Sequence, residues 1–361
     1  MQLDMHYYGT YALARAAGIA PDTATTIATA AQFVDDNSAD SAVEFKDGGK
    51  FLTEATAHHV TSAENLIKDD QRSVWVPFHF LPGCDGEHYR EKLLCKKNSS
   101  NAQELLTFAI TLSDRPYAPE LIGATAHIFA DTFAHYDFSG VSCRMNYIDN
   151  SSLTILNENE FSEGIKGHIA KRKESFFKKF GFTCSLDSLT SFSAETLSGG
   201  LGHGAACTYP DRPYLKWSFV REETDETIEH NNQEDFLEAC EELHKFFVRF
   251  GTERKDLCTH EPISFEEIRS HVKTIISTPA EMEKRITLWT STCEEGKITG
   301  KKESIPTYSE SGWNDERNDL NHTAHSHEAL EQSPYRFYQA SAALRTFILR
   351  DLLPKRGLIV A

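Results

Sequence analysis

Apolar positions recur at helical spacing over most of the chain. The clearest case is 233–251, where Phe236, Leu237, Cys240, Leu243, Phe247 and Phe250 fall on one face. Similar patterns predict helices over 10–18, 21–34, 101–112, 119–137, 158–180, 264–277, 279–292 and 334–353. Boundary residues support several of these: Gly18 suits a C-cap, and Pro21 and Pro279 suit first-turn positions. Asn101 with Glu104 suits a capping box. Alternating strand patterns are few. Residues 38–56 read as an irregular or short-stranded excursion turning at Asp47-Gly48-Gly49, and 297–321 as a long polar loop. His322, His325 and His327 follow that loop with no apolar frame around them, as on a solvated surface. No repeat of 20–50 residues occurs, which excludes a solenoid. The expectation is an all-α, single multi-helix domain with long loops, spanning 1–361. Residues 222–361 would form a C-terminal helical layer on it.

The helix predicted over 119–137 carries chemistry. His127, Asp131 and His135 stand four residues apart, about 400° of helical rotation per step, so they form one stripe. Ile128, Phe129, Ala130, Phe133 and Ala134 between them are apolar or small, so the flanks of the stripe are buried too. An unpaired polar group in a core costs several kcal/mol. Core histidines satisfied by hydrogen bonds would answer for one such residue; three in register point to a bound metal, and two imidazoles and a carboxylate suit zinc.

Other candidates lie scattered along the chain. Asp4 and His6 come first, then Asp35 and Asp36 at the C-terminal end of a helix, where acidic charge opposes the macrodipole. His58 and His59 are adjacent and face different ways, so one of them at most would be a ligand. His79 sits in an apolar, Pro-bounded segment, 74–83, read as a buried loop or strand. His203 stands among glycines that let backbone approach a ligand closely, with Asp211 and Arg212 between two prolines just after it.

Composition narrows the function. Hydrophobic residues make up 40% of 361 positions, enough for a large core. Asp and Glu exceed Lys and Arg by 54 to 37, a net charge of −17, which disfavours extended nucleic acid as a partner. The eight cysteines form no CxxC pair or disulfide framework, and no signal peptide or spanning segment of roughly 18 apolar residues is present. The expected location is cytoplasmic.

Taken in order, Asp4, His6, Asp35 or Asp36, His58, His127-x3-Asp131 and His203 resemble the ligand order of the zinc-dependent phospholipase C and single-strand-specific nuclease superfamily. Several phrases look like an uncharacterised bacterial domain family related to those enzymes. They are His-Tyr-Tyr at 6–8, Pro-Phe-His-Phe-Leu-Pro-Gly at 77–83, Ala-His-x3-Asp-Thr-x-Ala-His-Tyr at 126–136, and Gly-His-Gly with Tyr-Pro-Asp-Arg-Pro at 202–213. The resemblance covers roughly 1–220 by motif. It implies an all-helical fold around two or three zinc ions, or other divalent transition metals. The implied ligands are Asp4, His6, Asp35 or Asp36, one of His58 and His59, His127, Asp131, His135 and His203. The implied activity is hydrolysis of a small phosphoester by a metal-activated water, with Asp35, Asp36 and Asp131 as catalytic carboxylates. His79, Asp211 and Arg212 are candidate substrate contacts. The chain departs from the superfamily in three ways. It lacks the N-terminal Trp ligand, whose place falls to Asp4; His135 follows Asp131 closely; and the terminal His–acid pair is stretched to His203 and Asp211.

Two other functions fit a helical, His-rich chain. HD-type phosphohydrolases need an adjacent His-Asp pair, which this sequence lacks. A purely structural metal would hold helices together in a closed site, and the surplus of candidate ligands argues against a single ion.

Overall fold

The computed structural model describes residues 1–58, 63–149, 151–179, 201–321 and 323–360. It is mostly helical with two small antiparallel sheets. Helix Ala118–Ala134 runs through the centre, and all but Pro119 of its residues are buried. Pro119 and Glu120 open its first turn, where a missing N–H and a negative charge are both tolerated. Helices Pro21–Asp36, Ser100–Thr111, Asn232–Glu253 and Ser333–Thr346 pack around it. An interior helix of this kind is apolar on all sides, so its polar residues need partners within the protein.

The closest approach is between the central helix and helix Pro21–Asp36. A Cβ built on Gly123 would lie 2.2 Å from the carbonyl oxygen of Ile27. Glycine therefore sets the spacing of these two helices one turn ahead of His127. The principal apolar cluster takes residues from Met1 to Val360, so the C-terminal helices share it with the N-terminal ones.

Between residue 221 and helix Asn232–Glu253 the chain passes through a strand. Thr227–Asn231 (β5) pairs with Lys216–Val220 (β4), which pairs in turn with Thr154–Ile155 (β3). Trp217 and Phe219 of β4 bury against Phe80, Phe138 and Tyr214 in a second apolar cluster. Residues 38–56 hold a hairpin, Ala42–Glu44 (β1) with Lys50–Leu52 (β2).

Several boundaries differ from expectation for local reasons. Ser99, whose hydroxyl accepts from the Ala102 N–H, caps the helix predicted to start at Asn101; Asn101 is buried and donates to the Pro82 carbonyl. The helix after Pro279 begins at Met282 with Glu281 as N-cap. The polar stretch 297–321 contains helix Gly312–Leu320, anchored by buried Trp313 and Leu320. Segment 74–83 holds the short helix Trp75–Phe78 instead of a strand or loop alone. Among the described residues no helix is long and apolar enough to cross a membrane, and the seven described cysteines are free thiols.

Candidate metal centre

Asp131, one turn beyond His127, is the hub. Its Oδ2 lies 3.2 Å from His127 Nε2, 3.3 Å from His79 Nδ1 and 3.4 Å from His135 Nδ1. Its Oδ1 lies 3.2 Å from His6 Nε2 and 2.8 Å from the α-nitrogen of Met1. Asp35 reaches in from the end of helix Pro21–Asp36, its Oδ1 3.8 Å from both His127 Nε2 and His79 Nδ1. On the other side, Asp211 Oδ1 lies 3.4 Å from His135 Nε2 and 3.8 Å from His203 Nε2. The ligand atoms fall into three groups, the first two sharing His127: His6, His127 and Asp131; Asp35, His79 and His127; His135, His203 and Asp211.

Backbone carbonyls orient four of the imidazoles. His127 Nδ1 is 2.7 Å from the Ala31 oxygen, and His79 Nε2 is 2.8 Å from that of Thr56. His135 Nδ1 is 2.9 Å from the His79 oxygen, and His203 Nδ1 is 2.9 Å from that of Cys207. A carbonyl accepts, so each ring donates its N–H there. The remaining nitrogen of a neutral ring then presents a lone pair to the centre. His127 Nε2 and His79 Nδ1 consequently face each other at 3.2 Å as two acceptors. His6 stacks on His127 at 3.9 Å, and its buried Nε2 makes no well-aligned hydrogen bond, its nearest partner being Asp131 Oδ1 at 3.2 Å. Acceptors in such contact repel unless a cation lies among them.

Charge bookkeeping agrees. Asp35, Asp131 and Asp211 carry three negative charges and the Met1 ammonium one positive, leaving a net −2 if the rings are neutral. Burial pushes His6 and His203 down to about 4, which keeps them neutral. Burial works to raise Asp131 and Asp211, but positive charge nearby, on the Met1 ammonium and on any neighbouring histidine that is protonated, outweighs it and holds both well below the usual carboxylate range. Uncompensated negative charge around a carboxylate as buried as Asp131 is costly, and divalent cations would offset it. The spacing suits them: ligands at roughly 2.0–2.1 Å from a tetrahedral ion lie about 3.3 Å apart.

The centre meets solvent at Asp35, whose side chain is 32% exposed. A cavity of about 450 Å³ opens there, lined by Asp35, Asp36, Ser38, Glu310 and Arg317 among others. Asp36 faces this cavity, and burial pushes its carboxyl up to about 6.

These placements correct several expectations. Asp4 is not at the centre: it forms a buried ion pair with Arg285, 2.6 Å from Oδ2 to Nε, and the Met1 nitrogen occupies the position expected for it. Asp36 turns away to accept from Tyr308 and from Gln32, leaving Asp35 as the carboxylate that joins the cluster. His58 pairs instead with Asp70, 2.7 Å away, and His59 lies outside the described residues. His79 and Asp211, expected as substrate contacts, stand inside the cluster. Arg212 is buried and bonds to Thr208 and Tyr214. His127, Asp131, His135, His6 and His203 come together. The signal available for His79 was its place in an apolar segment, where an imidazole requires partners. Nothing in the sequence marked the Met1 nitrogen or the four orienting carbonyls.

The fold and site define a mostly helical protein built around a buried histidine–aspartate centre with the donors for a metal. The chain belongs to a family described as Family of unknown function (DUF6765), which matches residues 1–352. No curated protein and no solved structure matches it.

Proposed function

We propose that this protein is a metal-dependent hydrolase of small phosphoesters, with a centre of two or three divalent ions, zinc foremost. The observation that carries the reading is the set of four imidazoles whose ring N–H groups are committed to backbone carbonyls, so that their lone pairs converge on three carboxylates. Such outer partners fix the tautomer and orientation of metal-binding histidines. The order in which the donors occur along the chain, His6, Asp35, His79, His127, Asp131, His135, His203, Asp211, also supports kinship with the zinc-dependent phospholipase C and nuclease superfamily.

Bound divalent ions would supply Lewis acidity and lower the pKa of water towards 7. The protein's own groups have separable tasks. Asp131 touches four histidines and links the three groups of donors. Asp35 stands at the opening, where a substrate arriving through the cavity meets the centre. Asp36, held by Tyr308 and Gln32 on the cavity wall, is placed to take up or release a proton there. About 450 Å³ suits a small ligand. The exposed edge at Asp35 favours chemistry over a closed structural site.

The test is metal analysis of the purified chain alongside hydrolysis of a panel of phosphodiesters and phosphomonoesters. More than one equivalent of transition metal is expected, with most of it lost in His127→Ala together with turnover. Metal-free protein that folds normally would overturn the reading.

A further inference from the structure

A second polar cavity, of about 180 Å³, lies behind the centre. It is lined by Gln2, Thr208 and Arg212, by His168 and Arg172 of helix Glu163–Lys179, and by Glu283 and Arg285 near the start of helix Met282–Glu294. Gln2 and Arg212 directly follow Met1 and Asp211, whose polar atoms face the centre. At roughly 30 Å³ per water, the cavity has room for about six waters, or for a small oxyanion and its hydration.

Its two innermost guanidiniums differ. Arg285 has its charge paired and four of its five N–H donors in use: Nε and Nη2 donate to Asp4, Nη2 also to Gln2, and Nη1 to the Ala280 carbonyl. Arg212 is 3% exposed, yet its bonds go only to neutral oxygens, from Nε to Thr208 Oγ1 (3.1 Å) and from Nη1 to the Tyr214 hydroxyl (3.0 Å). No carboxylate among the described residues lies within ion-pair distance of it. A guanidinium carries five N–H donors in a planar fork, so three remain for a ligand. His168 is held below its usual value by burial and then by Arg212, which places that charge beside the cavity. Arg172 adds a second cation from the solvent side, with Glu283 on the rim and Glu281 paired to His168 at 3.2 Å.

A buried, unpaired charge is expensive to keep, and an arginine fork matches the geometry of phosphate. We infer that this cavity is a binding site for a phosphoryl oxyanion, held end-on by Arg212 and drawn in by Arg172. The inference does not rest on the metal reading, because none of the cavity's side chains belongs to the centre.

Equilibrium dialysis of the full chain against labelled inorganic phosphate tests it, repeated after chelation and paralleled with glycerol phosphate. Saturable one-to-one binding with Kd of about 1 mM or tighter, persisting after chelation, is expected. Arg212→Lys, which keeps the charge and loses the fork, should weaken it at least tenfold, since charge-assisted bidentate bonds are the strong ones. Arg172→Glu, at an exposed position where folding is not at stake, should weaken it severalfold. Equal affinity for glycerol phosphate would assign the site to phosphomonoesters, and preference for inorganic phosphate to the free ion. Binding that vanishes on chelation, or that survives both substitutions, overturns the inference.

Discussion

Gly123→Ala isolates the contact that sets the centre's geometry. In an unobstructed helix the substitution would stabilise by about 1 kcal/mol, because alanine loses less backbone entropy than glycine. Here the new Cβ would sit 2.2 Å from the Ile27 carbonyl oxygen and 2.7 Å from the Ala30 Cβ. Ordinary contact starts near 3.4 Å, so the helices must part by 3.4 − 2.2, or about 1.2 Å. The obstruction is backbone and cannot swing aside. Overpacking of this kind costs about 1–3 kcal/mol, which exceeds the propensity gain, so a net loss of up to about 2 kcal/mol is expected. The same displacement, if directed along the bond, stretches His127 Nδ1 to Ala31 O from 2.7 Å to about 3.9 Å, beyond hydrogen-bond range. Loss of such an outer partner lowers metal affinity about 10- to 100-fold. Urea unfolding and competition with a chromogenic chelator measure the two effects on one preparation. An unfolding midpoint at or above that of the parent, with unchanged metal retention, refutes the reasoning.

Three further substitutions probe the remaining assignments. Asp4→Asn leaves Arg285 buried without its partner and should cost about 3–5 kcal/mol while the folded protein keeps its metal; metal loss at undiminished stability would return Asp4 to the ligand set. His79→Ala should deplete metal and His58→Ala should not, since His58 bonds Asp70 outside the cluster; mass spectrometry of the bound metals decides, and the reverse pattern refutes the placement. His230, stacked on Trp217 and Tyr136 with Nε2 unpartnered, is held down to about 4 by burial. Its folded value lies below the unfolded 6.5, so the unfolded chain takes up more protons between them. The stability it contributes is therefore present above pH 6.5 and lost as pH falls towards 4, by at most about 3 kcal/mol. His230→Phe should flatten that part of a pH series of unfolding midpoints; parallel curves for the two proteins would dismiss it.

Much of the framework was legible because helical periodicity is a local property. The helix bearing His127 and Asp131 was readable from spacing alone, although it ends at Ala134 and leaves His135 as its C-cap, and its buried flanks implied that these polar groups had partners. The short strands β3 to β5 were not legible, since two to five residues carry too little pattern and their pairing is long-range. Asp35 and Asp36 show the limit of local reasoning. Both oppose the helix dipole in sequence, but only the position of Tyr308, more than 270 residues later, turns Asp36 aside and leaves Asp35 to face the histidines.

His58 and His79 divide in the same way. Each is a histidine near apolar residues, and the sequence favoured the first as ligand. Which one reached the centre depended on where the Thr56 carbonyl and Asp70 came to lie. The chain by itself determined a helical protein with a histidine–aspartate stripe in its interior, because period and burial are written in residue order. Tertiary structure decided the membership of the centre. Convergence within 4.8 Å is a property of packed surfaces, set here by a glycine contact and by carbonyls that every residue possesses and none advertises.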